Sequence, residues 1–169
     1  ELITYQRYKG ASLSDEGQRV ATSLLRKHRL WEVFLVQSLG MTWDEVHEIA
    51  EELEHIQSER LIERLDNFLG HPKFDPHGDP IPNEQGRYTL RAQIPLSTLT
   101  AGQSGMIIGV KEDDSPFLKH LNDKGLSIGK IVQVLTIDDY DHGLLLHMEG
   151  DDVILSGQVA DHILVKPMA

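Results

Sequence analysis

The sequence predicts an α+β protein in which a helical unit is followed by a small β-barrel. Three observations carry this: helical apolar periodicity from Ser14 to about Gly70, a proline-rich break, and short glycine-punctuated apolar runs beyond it. The expected organisation is a short hairpin over residues 1–14, helices over 15–70, a linker over 71–93 and a barrel over 94–169.

Residues Leu2 to Ser14 alternate weakly around Lys9-Gly10, which suits a hairpin with glycine in its turn. From Ser14 the pattern turns helical. Ser14 is placed to cap, Asp15 and Glu16 suit the positive helix end, and Val20, Leu24, Leu25, Trp31 and Leu35 recur at helical spacing up to Gly40. Thr42 and Glu45 read as a capping box, so a second helix is expected to start there. A third, from Ser58, is expected to bury Leu61, Ile62, Leu65 and Phe68 and to stop at Gly70. That is more apolar surface than a helix hairpin needs, which predicts a homodimer through the helices. The run HPKFDPHGDPIP interrupts regular structure. Strands are then expected at Met106–Val110, Ile131–Ile137, Leu144–Met148 and Val153–Leu155, with one helix at Ser115–Asn122.

Composition narrows the chemistry. The chain has 169 residues, no cysteine and a formal charge of −11. Disulfides, thiolate ligands and cysteine nucleophiles are thereby excluded, so any metal must sit on nitrogen and oxygen. The negative charge opposes a phosphate-binding surface. No membrane span or signal segment is expected, which points to a cytoplasmic protein. The first residue is Glu and the pattern begins inside a strand, so an upstream segment is expected.

The second helix reads HEIAEELEH. At about 100° per residue Glu51, Glu54 and His55 share a face, with His47 one turn earlier. On the preceding helix His28 and Glu32 stand four apart. Two crossing helices could bring these donors together around a divalent cation. Acidic residues outnumber arginines nine to two between Thr42 and Asp66, and such a cation would relieve that crowding. From spacing alone, a solvated acidic face is the commoner explanation. An HExxH zinc-protease reading fails because the residue four after His47 is Glu51.

At these residues the sequence resembles the diphtheria-toxin-repressor family of metal-dependent transcriptional regulators. The matching text is LSDEGQRVATSLLRKHRLWEVFL, VHEIAEELEHIQSERLIERL and HGDPIP. The resemblance implies a helical metal-binding and dimerisation domain, preceded by the wing of a winged helix-turn-helix and followed by an SH3-like barrel. Arg7 and Lys9 would be the wing's DNA-facing cations, with duplex DNA as partner of the intact protein. It also implies two metal sites: a primary one at Glu51, Glu54 and His55, and an ancillary one at His28, Glu32 and His47. The barrel would add ligands to the ancillary site, for which Glu112 and Asp113 are the candidates. Iron-responsive members carry Cys where this chain has Glu51, so the carboxylate favours Mn²⁺, with Fe²⁺ as the alternative. The implied function is a metal-dependent repressor of metal-homeostasis genes and not an enzyme. Two other readings stay open: a dimeric interaction module without DNA binding, and a metallohydrolase.

Overall fold

The computed structural model describes residues 1–8 and 10–168; Lys9, one of the two expected DNA contacts, lies outside the described residues. The chain forms two compact units. One comprises Glu1–Asp75 with Pro80–Leu90, the other Pro76–Asp79 with Arg91–Ala169.

The first unit opens with an antiparallel hairpin, β1 (Ile3–Gln6) and β2 (Gly10–Leu13), in which Ile3 faces Leu13 and Gln6 faces Gly10. It leads directly into α1 (Asp15–Leu39), whose N-cap Ser14 accepts from the Gly17 amide. Gly17 is a packing glycine: a Cβ there would lie 2.0 Å from the Leu2 carbonyl oxygen. Gly40 ends the helix in the left-handed conformation, at φ 69°. Two shorter helices follow, α2 (Val46–Leu53) and α3 (Glu59–Phe68), the latter capped by the Ser58 hydroxyl. Leu30, Val33, Leu35, Val46, Ala50 and Leu65 form the centre of the core.

Two expectations need correction. The second helix begins at Val46, later than the capping-box pattern implied. The Thr42 amide and hydroxyl both donate to the Glu45 carboxylate, at 3.1 and 2.7 Å. With its hydroxyl donating there, Thr42 does not cap, and residues 43–45 form a turn that buries Trp43. On α3, Ile62 and Leu65 are buried as expected, but Leu61 is 39% and Phe68 69% exposed. Seven residues apart, they project from one side of α3.

The proline-rich residues carry structure of their own. Ile81 is 3% exposed within the helical core, and its amide donates to the Lys73 carbonyl. Arg26 donates to the Pro82 carbonyl at 2.9 Å and Arg29 to the Pro80 carbonyl at 2.5 Å.

The second unit is a six-stranded antiparallel sheet of SH3-like type. Its strands are β3 (Ile94–Pro95), β4 (Ser104–Val110), β5 (Ile131–Ile137), β6 (Leu144–Met148), β7 (Asp151–Leu155) and β8 (Ile163–Met168), in the order β3-β8-β4-β5-β6-β7. Two helices accompany it, α4 (Ser115–Asp123) and α5 (Gly157–His162). Burial alternates along the first four residues of β5, the period of a strand with one face in the core. Leu118 and Leu121 of α4 are buried too. Within this unit Gly78 sits at φ +92°, where a Cβ would meet the Ile108 carbonyl oxygen at 2.2 Å; the His77 carbonyl accepts from the Val110 amide.

Candidate metal centre

The site lies where α1 crosses α2. Twenty-five residues of uninterrupted helix guarantee that His28 and Glu32, one turn apart, lean to the same side. Both are buried, at 8% and 2% exposure. The His28 ring is held at both nitrogens: Nε2 lies 3.0 Å from Glu32 Oε1 and Nδ1 2.7 Å from Glu54 Oε2. From α2, His47 brings Nδ1 to 3.5 Å from Glu32 Oε1 and Nε2 to 3.7 Å from Glu51 Oε1. The His28 and His47 rings meet edge-on, with centroids 4.9 Å apart.

Electrostatics follow from this packing. Burial opposes a charge on His28, but hydrogen bonds and Coulomb attraction from Glu32 and Glu54 outweigh it, so its pKa is raised above the ordinary histidine value. Without metal, the position of His28 between buried Glu32 and half-buried Glu54 favours its charged form.

The donor set suits a hard divalent cation. His28, Glu32 and His47 each offer a ligand atom within 4.8 Å of the others. At bonds of about 2.0–2.6 Å, neighbouring ligands of an octahedral ion stand about 2.8–3.7 Å apart. The spacings of 3.0 and 3.5 Å around Glu32 Oε1 fall in that range. No thiolate is available.

Of the sequence-predicted residues, the structure therefore gathers His28, Glu32, His47 and Glu54 closely and Glu51 at the edge. His55 stands apart: α2 ends at Leu53, Glu54 is its C-cap, and His55 follows with a side chain 72% exposed, Nε2 lying 3.9 Å from Glu54 Oε1. Glu112 and Asp113 belong to the barrel unit, where both are exposed and Glu112 pairs with His162 at 3.1 Å. Arg7 is exposed on the hairpin turn beside Tyr8.

Sequence reasoning missed the residues flanking His28. Arg26, Lys27 and Arg29 each grip a different segment: Arg26 pairs with Asp66 of α3 at 3.0 Å, Lys27 reaches the Ile56 carbonyl and Glu59, and Arg29 pairs with Asp75 at 3.3 Å. The run RKHR held a signal. Four consecutive helical residues fan over about 300° and cannot all lie on one solvated face.

Comparison with known proteins places this geometry in a class. Residues 14–83 match the family described as iron dependent repressor, metal binding and dimerisation domain, and residues 94–167 match the FeoA domain. A solved manganese-dependent transcriptional repressor in complex with manganese is similar over 99% of this chain and 78% of its own, with TM-score 0.82 and 34% identity. The iron-dependent repressor IdeR of Mycobacterium leprae is 34% identical over 126 residues, covering 68% of this chain and 55% of that protein. A probable metal transport system membrane protein of Chlamydia trachomatis is 45% identical over 71 residues, 42% of this chain and 16% of its own. The chain thus spans less than two thirds of either curated relative. The solved structure and IdeR are both described as metal-dependent repressors. The chain belongs to the diphtheria-toxin-repressor family.

Among the described residues, no helix is long and apolar enough to cross a membrane.

Proposed function

We propose that this chain is the metal-sensing and dimerising part of a cytoplasmic transcriptional repressor that controls metal-homeostasis genes, responding to Mn²⁺, with Fe²⁺ as the alternative. The observation that carries it is His28, buried and held at both ring nitrogens by carboxylates from two helices. Glu51, Glu54 and His55 would hold one metal, and His28, Glu32 and His47 a second, with Glu112 or Asp113 completing it. Bound, the metal would supply the positive charge that the crowded carboxylates lack. The chain's own part is to hold α1, α2 and the turn after α2 in one arrangement. Glu51 supports the manganese assignment, since a carboxylate suits a harder ion than a thiolate would.

The exposed Leu61 and Phe68 support a two-fold homodimer through the helices. Arg7 and Lys9 would contact the DNA backbone from the hairpin, as part of a dimer that places two reading heads on duplex half-sites. The test is titration of metal-free protein with Mn²⁺ in weak buffer. Saturable binding with proton release is expected wherever His28 is protonated in the metal-free protein, because an imidazole binds metal only as the neutral ring. Loss of binding in His28→Ala and Glu54→Ala would agree with the assignment; unchanged binding in both would overturn it.

One observation favours a second reading. A stretch of 71 residues is similar to part of a protein described as a probable metal transport system membrane protein, so the same sensor could act on a protein partner without reading DNA. Metal-dependent footprinting on candidate promoters by the intact protein separates the two.

A further inference from the structure

Lys27 is 6% exposed, an unusual position for an ammonium group. It does not enter the ligand set. Its Nζ lies 3.5 Å from the Ile56 carbonyl oxygen, to which it donates, and 3.6 Å from Glu59 Oε1. One partner lies within residues 54–58, the turn between α2 and α3 that begins with Glu54 and His55, and the other just after it. This turn needs help from outside. α2 has no basic residue in its last turn and no glycine at its end, and Glu54, its C-cap, stays right-handed. Within the turn the Ile56 amide bonds to Leu53, while the Ile56 carbonyl turns to Lys27.

We infer that Lys27 is a positioning residue of the metal centre: from α1 it binds the Ile56 carbonyl and Glu59, and so holds in place the 54–58 turn that carries Glu54 and His55. The inference rests on the metal-sensing reading above. Its logic is geometric. Lys27 and His28 are adjacent on one rigid helix, so α1 contributes a ligand and also fixes the segment that contributes the next ones. Groups that orient ligands from behind typically change metal affinity by about 10–100-fold when removed.

The opposite effect is equally definite if Lys27 is only a nearby charge. A cation beside a divalent ion repels it, so neutralising Lys27 would then tighten binding. The sign of the change separates the two roles. Methionine keeps the length and apolar stem of lysine, so Lys27→Met removes the clamp while filling the same space.

The experiment uses the full 169-residue chain. Mn²⁺ affinity is measured by titration for wild type, Lys27→Met and Lys27→Arg, and amide hydrogen exchange is followed in the metal-free proteins. Expected are an approximately tenfold or greater loss of Mn²⁺ affinity in Lys27→Met, faster exchange at His55 to Ser58 with the core of α1 unchanged, and substantial recovery of both in Lys27→Arg. Unchanged or tighter Mn²⁺ binding by Lys27→Met would overturn the proposal, as would unaltered exchange in the turn. His28→Ala is the control: if it binds Mn²⁺ like wild type, the metal-sensing reading itself has failed, whatever Lys27→Met does.

Discussion

Replacing Glu32 by Gln keeps its shape and removes its charge at the most buried carboxylate of the centre. Where His28 is protonated, its 3.0 Å contact with Glu32 in metal-free protein is a charge-assisted hydrogen bond between groups 8% and 2% exposed. Such bonds contribute about 1.5–3 kcal/mol against about 0.5–1.5 for neutral ones, so the substitution should cost about 1 kcal/mol where His28 is protonated. His28 has a raised pKa when folded. Its contribution is therefore fully present below the unfolded value near 6.5 and is lost as pH rises through the folded value. Metal-free wild type should lose stability across that window, and Glu32→Gln should lose less.

Metal reverses the trend, because it needs the deprotonated ring and binds more tightly as pH rises. At 100 times its Kd a metal stabilises the folded state by about 2.7 kcal/mol; a tenfold weaker site at the same concentration gives about 1.4 kcal/mol. Both tryptophans, Trp31 and Trp43, are buried in the helical unit, so fluorescence-detected unfolding reports that unit alone. A change of 1 kcal/mol moves the midpoint of a unit of this size by about 4–8 °C. The assay is thermal unfolding from pH 5.5 to 8.5, with Mn²⁺ and with chelator. An equal Mn²⁺-induced rise in midpoint for wild type and Glu32→Gln would refute Glu32 as a ligand.

Other perturbations test separate parts of the structure. Gly78→Ala should destabilise the barrel unit by more than about 1 kcal/mol, since it combines a positive φ with a Cβ overlapping the Ile108 carbonyl; circular dichroism melting of the variant checks this. Phe68→Asp should shift a dimer towards monomer in sedimentation equilibrium while leaving the helical fold intact, because Phe68 is 69% exposed in the single chain. Glu51→Cys should bind Co²⁺ more tightly relative to Mn²⁺ than wild type does, and an unchanged order of affinities in competition titrations would remove the basis for preferring manganese. Asp66→Asn should weaken the hold of Arg26 and His71 on α3 and cost about 1–3 kcal/mol in urea unfolding, as it leaves a largely buried guanidinium short of a charge partner.

What could be read from the sequence was whatever local chemistry decides. Ser14 and Ser58 cap because a hydroxyl three residues ahead of an amide needs nothing from the rest of the fold, and Gly40 stops α1 because only its φ is at issue. Strands β5 and β6 were legible from apolar runs bounded by glycine. The pair α5 and β8 was not. Its six helical and six strand residues make less than two turns of helix and one short strand, too few for either period to stand out. The exposure of Leu61 and Phe68 was also beyond the pattern, since an apolar helical face does not say whether its cover comes from the same chain.

The centre shows the same division. Spacing along α1 was sufficient to pair His28 with Glu32, because a four-residue step within one long helix fixes their direction. Spacing along the second helix grouped Glu51, Glu54 and His55 on one face, which presumes that the helix continues through them. It stops at Leu53, so Glu54 turns inward to His28 while His55 is left exposed. Glu54 thereby brings the two proposed ligand sets into contact, its Oε2 lying 2.7 Å from Nδ1 of His28. A proton or a metal on that one ring must then be felt at Glu32 on α1 and at Glu54 at the end of α2. That is the physical content of a sensor built at a helix crossing: occupancy of a single imidazole decides how two carboxylates from different helices are held together.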